Sequence, residues 1–293
     1  MKLIIQLPCF NEVETLPVAL SCLPRSVDGF NTVEWLVVDD GSTDGTAEIA
    51  RSLGVDHVVA HKSNCGLARA FMTGIRTSLD LGADVIVNTD ADNQYNADDI
   101  PALVKPILEC RAEMVIGARP ISQMPRYTPI NRLLHMLGCL IVRFVSGTDI
   151  PDAPSGFRAY SRSAATRLNV YDTYTYTLET IIQAGYMNMA LTSVPVRVNE
   201  KLRASRLISS IPSYIVRSAL TIIRTFALYR PFHFFYPLGM VLFSAGLLFS
   251  FSKAVLAIVS GICFLAPFAL AITPLRRRIR EDMKFHKEHN DSK

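Results

Sequence analysis

Between residues 3 and 117, short apolar runs rich in valine and isoleucine alternate with longer amphipathic stretches, and no other feature narrows the fold so far. Residues 3–7, 33–38, 55–60, 83–88 and 113–117 read as strands. Residues 12–22, 43–53, 67–81 and 97–110 read as the helices between them. Such alternation predicts α/β architecture, a mainly parallel sheet with helices on both faces. Short β-branched runs suit strands covered on both sides. Further on, residues 130–145 carry Arg132, His135 and Arg143 among apolar residues. They predict a helix that either lies at a membrane surface or is partly buried in the core. Residues 175–185 predict a helix, 190–198 a strand, and 209–229 an amphipathic helix with Arg217, Arg224 and Arg230 spaced for one face. There is no internal repeat.

Hydrophobic residues make up 49% of the 293 and charged residues only 19%, and the apolar surplus is concentrated between residues 232 and 274. There the charged side chains are Lys253 and, when protonated, His233. As helix this stretch would extend roughly 60 Å, two crossings of a hydrocarbon core about 30 Å thick. Lys253, after Ser250 and Ser252, falls where a hairpin tip would reach water. Arg224 and Arg230 precede the stretch, and Arg276, Arg277, Arg278 and Arg280 follow it. Positive flanks mark the cytoplasmic side, and both can be cytoplasmic only with an even number of crossings. The expected division is therefore a catalytic domain over 1–205, amphipathic juxtamembrane helices over 206–231, a two-helix transmembrane hairpin over 232–274 and a basic cytoplasmic tail over 275–293. The net charge of +4 points to an anionic membrane surface. Nucleic acid is not expected, for no aromatic-and-basic recognition motif is present. Cys9, Cys22, Cys65, Cys110, Cys139 and Cys263 lack zinc or redox-pair spacing and suit a reducing cytosol. The N-terminus lacks signal-peptide architecture, so the catalytic part is expected on the cytoplasmic side.

Polar motifs follow four of the expected strands. They are Pro8-Cys9-Phe10-Asn11-Glu12, Asp39-Asp40-Gly41-Ser42-Thr43-Asp44, Asn64-Cys65-Gly66-Leu67 and Asp90-Ala91-Asp92-Asn93-Gln94. Ligands of open α/β sheets gather at the carboxyl ends of strands. Two carboxylates one residue apart there can hold a hard divalent cation and leave positions open for phosphate oxygens. A polar loop would account for Asp90 and Asp92 taken alone, and Gly41-Ser42-Thr43-Asp44 also suits a helix cap. Four such motifs on successive strand ends are harder to explain as turns.

With Ile116-Gly117-Ala118-Arg119 and Ser155-Gly156-Phe157-Arg158-Ala159-Tyr160 added, the series resembles family 2 glycosyltransferases of GT-A fold over about residues 3–230. It is similar in particular to the polyprenyl-phosphate branch, such as dolichol-phosphate mannose synthases and undecaprenyl-phosphate glycosyltransferases. The Gln-x-x-Arg-Trp motif of processive synthases is missing, since the sole tryptophan is Trp35. The resemblance implies a GT-A, Rossmann-like domain with interface helices. It implies an inverting enzyme that moves a sugar from a nucleotide-diphosphate sugar to a polyprenyl phosphate. The metal would be Mg²⁺ or Mn²⁺, since every candidate ligand is oxygen. A homo-oligomer is permitted.

Site residues follow from the same resemblance. Asp39 is expected at the base and Glu12 at the ribose, with Pro8, Phe10, Asn11, Asp40, Gly66 and Ala91 completing the donor pocket. Asp40 can equally be a turn residue. Asp90 and Asp92 are expected at the ribose and the metal, Asp92 as the stronger ligand and Gln94 in support. Arginine pairs well with phosphate oxygens. Arg119 and Arg132 are accordingly assigned to the acceptor phosphate, and Arg203 with Arg206 to the donor diphosphate. His135 is three positions after Arg132 and within reach of the same phosphate, or else an ordinary core residue. Asp92, Asp152 and Arg158 are the expected catalytic set, Asp152 either as general base or as a group orienting Arg158. A phosphate monoester is largely dianionic at neutral pH and has little need of a base. Pro154 stands where the family usually has threonine. The rivals are transfer to another lipid such as diacylglycerol, a non-catalytic membrane scaffold, and a nucleotidyltransferase.

Overall fold

The computed structural model describes residues 1–124, 127–170, 175–200 and 211–248, with 261 and 265. The chain divides into two compact units, Met1–Ser218 and Ala219–Lys293. In the first unit the strands are β1 (Lys2–Cys9), β2 (Thr32–Asp39), β3 (His57–Ala60), β4 (Val85–Asn88), β5 (Met114–Ala118), β6 (Arg158–Ser161) and β7 (Leu191–Pro195). The helices are α1 (Leu16–Cys22), α2 (Thr46–Ser52), α3 (Leu67–Asp80), α4 (Ile100–Leu108), α5 (Pro129–Ser146), α6 (Arg162–Arg167) and α7 (Thr177–Tyr186). Helix α8 (Ile211–Tyr229) runs on into the second unit, which contains α9 (Pro231–Leu248).

The strands form one sheet in the order β3-β2-β1-β4-β6-β5-β7. Strand β1 pairs in parallel with β2 and β4, β2 with β3, and β5 with β7. Alternation along β1 supplies both faces. Leu3, Ile5 and Leu7 join Leu16 and Leu20 of α1 and Leu103 and Ile107 of α4 in one cluster. Gln6, on the other face, donates from Nε2 to Phe71 O of α3 at 3.4 Å. Each fully buried leucine or isoleucine contributes about 1.5–3 kcal/mol.

One strand was not expected. The four residues of β6 insert antiparallel between β4 and β5, with Val87 opposite Ala159 and Val115 opposite Ala159 from the other side. The sheet is therefore mainly but not wholly parallel. Helices α1 and α2 also begin three or four residues later than their periodicity predicts, because the residues before them bind one another across two loops. Asn11 N donates to Ser42 Oγ (2.8 Å), Thr43 N to Asn11 Oδ1 (2.9 Å), Glu12 N to Thr46 Oγ1 (2.9 Å) and Val13 N to Asp44 Oδ2 (3.1 Å).

The Asp39–Ser42 turn has room for glycine alone. Gly41 has φ +74°, and a Cβ there would stand 2.5 Å from Ser63 C and 2.7 Å from Asn64 N. Gly41→Ala is expected to destabilise the first unit by more than about 1 kcal/mol. Chemical denaturation checks this, and an unchanged midpoint would refute the close packing of these two loops.

Helix α5 answers both readings of residues 130–145. Thr128 caps its start by accepting from Asn131 N at 3.2 Å. Cys139, Val142 and Val145 are buried, while Ile130, Leu133, Leu137, Leu140, Ile141 and Phe144 (82% accessible) form an exposed apolar row. In the second unit α9 contains Pro237. Among the described residues no helix is long and apolar enough to cross a membrane. Apart from 261 and 265, the expected hairpin beyond Leu248 and the tail 275–293 lie outside the described residues.

Candidate active site

Because β1, β2 and β4 run in parallel, their carboxyl ends share one edge of the sheet, and the polar motifs follow there. Asp39, almost fully buried, accepts from Ser42 N through Oδ1 at 3.0 Å. Glu12 is buried and accepts from the Thr15 hydroxyl, while Phe10 stands exposed at the rim. Pro8 lies within β1 opposite Val38, and Ala91 belongs to the core cluster. Of the two expectations for Asp40, its partners match the turn role. Its carboxylate accepts from Cys65 N (2.9 Å) and Gly66 N (2.8 Å) and pairs with His61 Nδ1 (2.7 Å). It fastens the third motif to the second, and Gly66 presents its backbone to Asp40.

Asp90 and Asp92 follow β4. Asn93, at φ +54°, turns the chain, and Asp92 Oδ1 accepts from Gln94 N at 3.1 Å. Asn199 donates to Asn93 O at 3.0 Å and Tyr95 O at 3.2 Å, tying the segment after β7 to this loop. Gly156 packs against Asp90: a Cβ there would stand 3.0 Å from Asp90 Oδ1 and 3.0 Å from Tyr176 Oη. Its backbone is clamped at both ends. Its N–H donates to Tyr95 Oη (2.9 Å), and its carbonyl accepts from Asn88 Nδ2 (2.9 Å) and Tyr176 Oη (3.2 Å). Tyr95 stacks on Phe157 and Tyr176 on Phe71. Sequence reasoning passed over Asn88, Tyr95 and Tyr176. The available signal was a buried amide ending an apolar strand, which needs a partner.

Burial, and then the charge of Asp92, push the Asp90 carboxyl up to about 7, with Glu12 adding to the rise and Arg119 and Arg158 opposing it. Two crowded carboxylates with too little positive charge beside them are a fit for a hard divalent cation. Asp90 and Asp92 would hold it through oxygen, with Gln94 next on the same loop.

Arg119, expected at the acceptor phosphate, donates to Asp152 from its backbone N (3.1 Å), Nε (2.7 Å) and Nη2 (2.9 Å). His135 Nε2 meets Asp152 Oδ1 at 3.0 Å. Burial disfavours the Asp152 charge, but Arg119 and His135 outweigh it and hold the carboxyl well below the usual carboxylate range. Burial also lowers the His135 pKa, and the bonds to Asp152 and Cys139 overcome that and raise it to about 9. Asp152 is thus corrected on both expectations: it orients Arg119 rather than Arg158, and so stable an anion makes a weak base. Arg132 Nη2 donates to Met124 O at 3.1 Å, and its buried Nε has no partner among the described residues.

Arg158 is also corrected. It is fully buried, donating to Ser155 O, Thr177 O, Thr180 Oγ1 and Ala153 O at 2.7–2.9 Å. It shapes the 153–157 turn from beneath instead of facing a substrate. Arg203 and Arg206 lie outside the described residues.

The sequence profile described as "Glycosyl transferase family 2" matches residues 4–168, more than half of the chain. The chain is 28% identical over 211 residues to an undecaprenyl-phosphate mannosyltransferase of Micrococcus luteus, covering 69% of this chain and 85% of that one. It is 28% identical over 211 residues to a polyprenol monophosphomannose synthase of Mycolicibacterium smegmatis, covering 68% and 78%. In fold it is similar to glucosyl-3-phosphoglycerate synthase from Mycobacterium tuberculosis, solved with Mn²⁺, uridine diphosphate and glucosyl-3-phosphoglycerate. The TM-score is 0.60 at 20% identity, covering 78% of this chain and 79% of that one.

Proposed function

The chain belongs to glycosyl transferase family 2, and from that premise we propose that it moves a sugar, with inversion, from a nucleotide-diphosphate sugar to a polyprenyl phosphate at the cytoplasmic face of a membrane. The observation that carries the reading is the loop 152–156, which touches both halves of the site. Its first residue, Asp152, holds Arg119 and His135, and its last, Gly156, lies against Asp90. An anionic acceptor and an anionic donor would so be brought together by one short stretch of backbone.

In this reading Asp39 and Glu12 receive the nucleoside, and Arg119, Arg132 and His135 receive the acceptor phosphate. The buried, unpartnered Nε of Arg132 is a donor suited to a phosphate oxygen. A phosphate oxygen of the lipid bonds to the anomeric carbon while the bond from that carbon to the diphosphate breaks, releasing the nucleoside diphosphate. The acceptor, with a second pKa near 6, arrives largely as the dianion, so positioning and charge compensation suffice. A cation on Asp90 and Asp92 would act as a Lewis acid toward the leaving diphosphate. The exposed apolar row of α5 and the apolar stretch 232–274, taken as a two-helix hairpin, support attachment to the bilayer.

The decisive experiment incubates the purified chain with a panel of labelled nucleotide sugars, offering polyprenyl phosphate and diacylglycerol in parallel, with mass spectrometry of the lipids. Sugar is expected on the polyprenyl phosphate. Robust glycosylation of diacylglycerol with none of the phosphate would overturn the acceptor assignment. The pH dependence follows from His135. Its raised pKa keeps the imidazolium charged until pH nears 9, and the stability this adds is fully present below about pH 6.5 and lost as pH rises through about 9. The acceptor KM is therefore expected to rise as pH passes 9 in the wild type and to lose that rise in His135→Gln. Identical profiles would exclude His135 from the acceptor site.

A further inference from the structure

We propose that Asp40, His61 and Cys65 form a site for a thiophilic divalent cation of the Zn²⁺ class, separate from the oxygen-only pair Asp90 and Asp92. A carboxylate oxygen, an imidazole nitrogen and a thiol sulfur here lie within 4.8 Å of one another. This donor set differs in kind from the other one. Mixed N, O and S ligands select Zn²⁺ over Mg²⁺ or Mn²⁺, and three protein ligands leave a fourth position for water.

The surroundings are organised for it. Asp40 is almost fully buried and anchored by Cys65 N and Gly66 N, so its carboxylate is fixed in place. Cys65 is partly exposed, which gives an entry path, and its thiol makes only a weak bond to Ser63 O at 3.3 Å. His61 Nδ1 faces Asp40 at 2.7 Å, while Nε2 faces Thr73 Oγ1 at 2.9 Å. A threonine hydroxyl donates or accepts equally well. When Nδ1 gives its proton up to bind metal, Nε2 takes one and donates to Thr73, the outer hydrogen bond that orients a ligating imidazole. Binding of the ion through sulfur releases the proton of the Cys65 thiol to solvent. The bound ion would join the end of β2 to the turn in front of α3.

Titration of the metal-stripped full chain with Co²⁺, under excess Mg²⁺, reads the sulfur ligand directly. A thiolate-to-cobalt charge-transfer band is expected in the near ultraviolet and is displaced by Zn²⁺. Cys65→Ser abolishes the band, Thr73→Val weakens binding about tenfold, and Asp92→Asn leaves the band intact. A wild-type chain without the band, or a Cys65→Ser variant that keeps it, overturns the site. The second outcome would assign the sulfur to another of the cysteines.

Discussion

Asp92→Asn is expected to lower kcat/KM for sugar transfer by about 10²- to 10³-fold while leaving the melting temperature unchanged. Asp92 is partly exposed, and its one described bond, from Gln94 N to Oδ1, survives in the amide. What the substitution removes is a negative charge. Beside Asp90, whose acid is already pushed up to about 7, that loss leaves too little charge to hold a divalent ion against water. The checks are initial rates of lipid product over a range of Mn²⁺ concentrations, together with a melting curve. A variant that keeps more than half of the wild-type rate would require the metal-centred reading of this loop to be abandoned.

Asp152→Ala is expected to act on stability first, by about 3–5 kcal/mol, because it strands the buried Arg119 guanidinium and takes from His135 the carboxylate that favours its charged form. The Arg119 side chain is only 9% accessible and that of Asp152 2%, so water cannot replace the lost partner. Equilibrium denaturation measures the loss. The double variant Arg119→Leu/Asp152→Leu separates stability from chemistry. Removing both charges is expected to recover much of the stability and none of the transfer to polyprenyl phosphate. Recovery of transfer as well would show that Arg119 has no part in binding the acceptor.

The sequence made the strands and the order of the polar motifs legible with little error. Runs such as Val85-Ile86-Val87 have no polar side chain to expose, so burial on both faces follows from composition alone. Helix starts were legible only to within a turn. Periodicity registers which residues are apolar, whereas Asn11, Glu12 and Asp44 bind across to another loop. The placing of the polar motifs at strand ends was legible too, but what their charged side chains hold was not. Asp40 and Arg158 carry the charges expected at an active site, and each is surrounded by partners that use those charges to hold loops.

Local spacing and hydrophobicity alone determined an α/β chain whose acidic and glycine-containing turns fall at strand ends, because backbone preference and burial are properties of neighbouring residues. Only the tertiary structure decided that four residues at Arg158–Ser161 reverse direction inside the sheet. It alone decided that Asp152 turns to Arg119, 33 positions away, instead of to Arg158, and that Gly156 rests on Asp90. Those choices depend on which distant groups meet once the core has closed. A buried charge settles on whichever partner the packing brings within hydrogen-bond reach, and no local pattern specifies that partner.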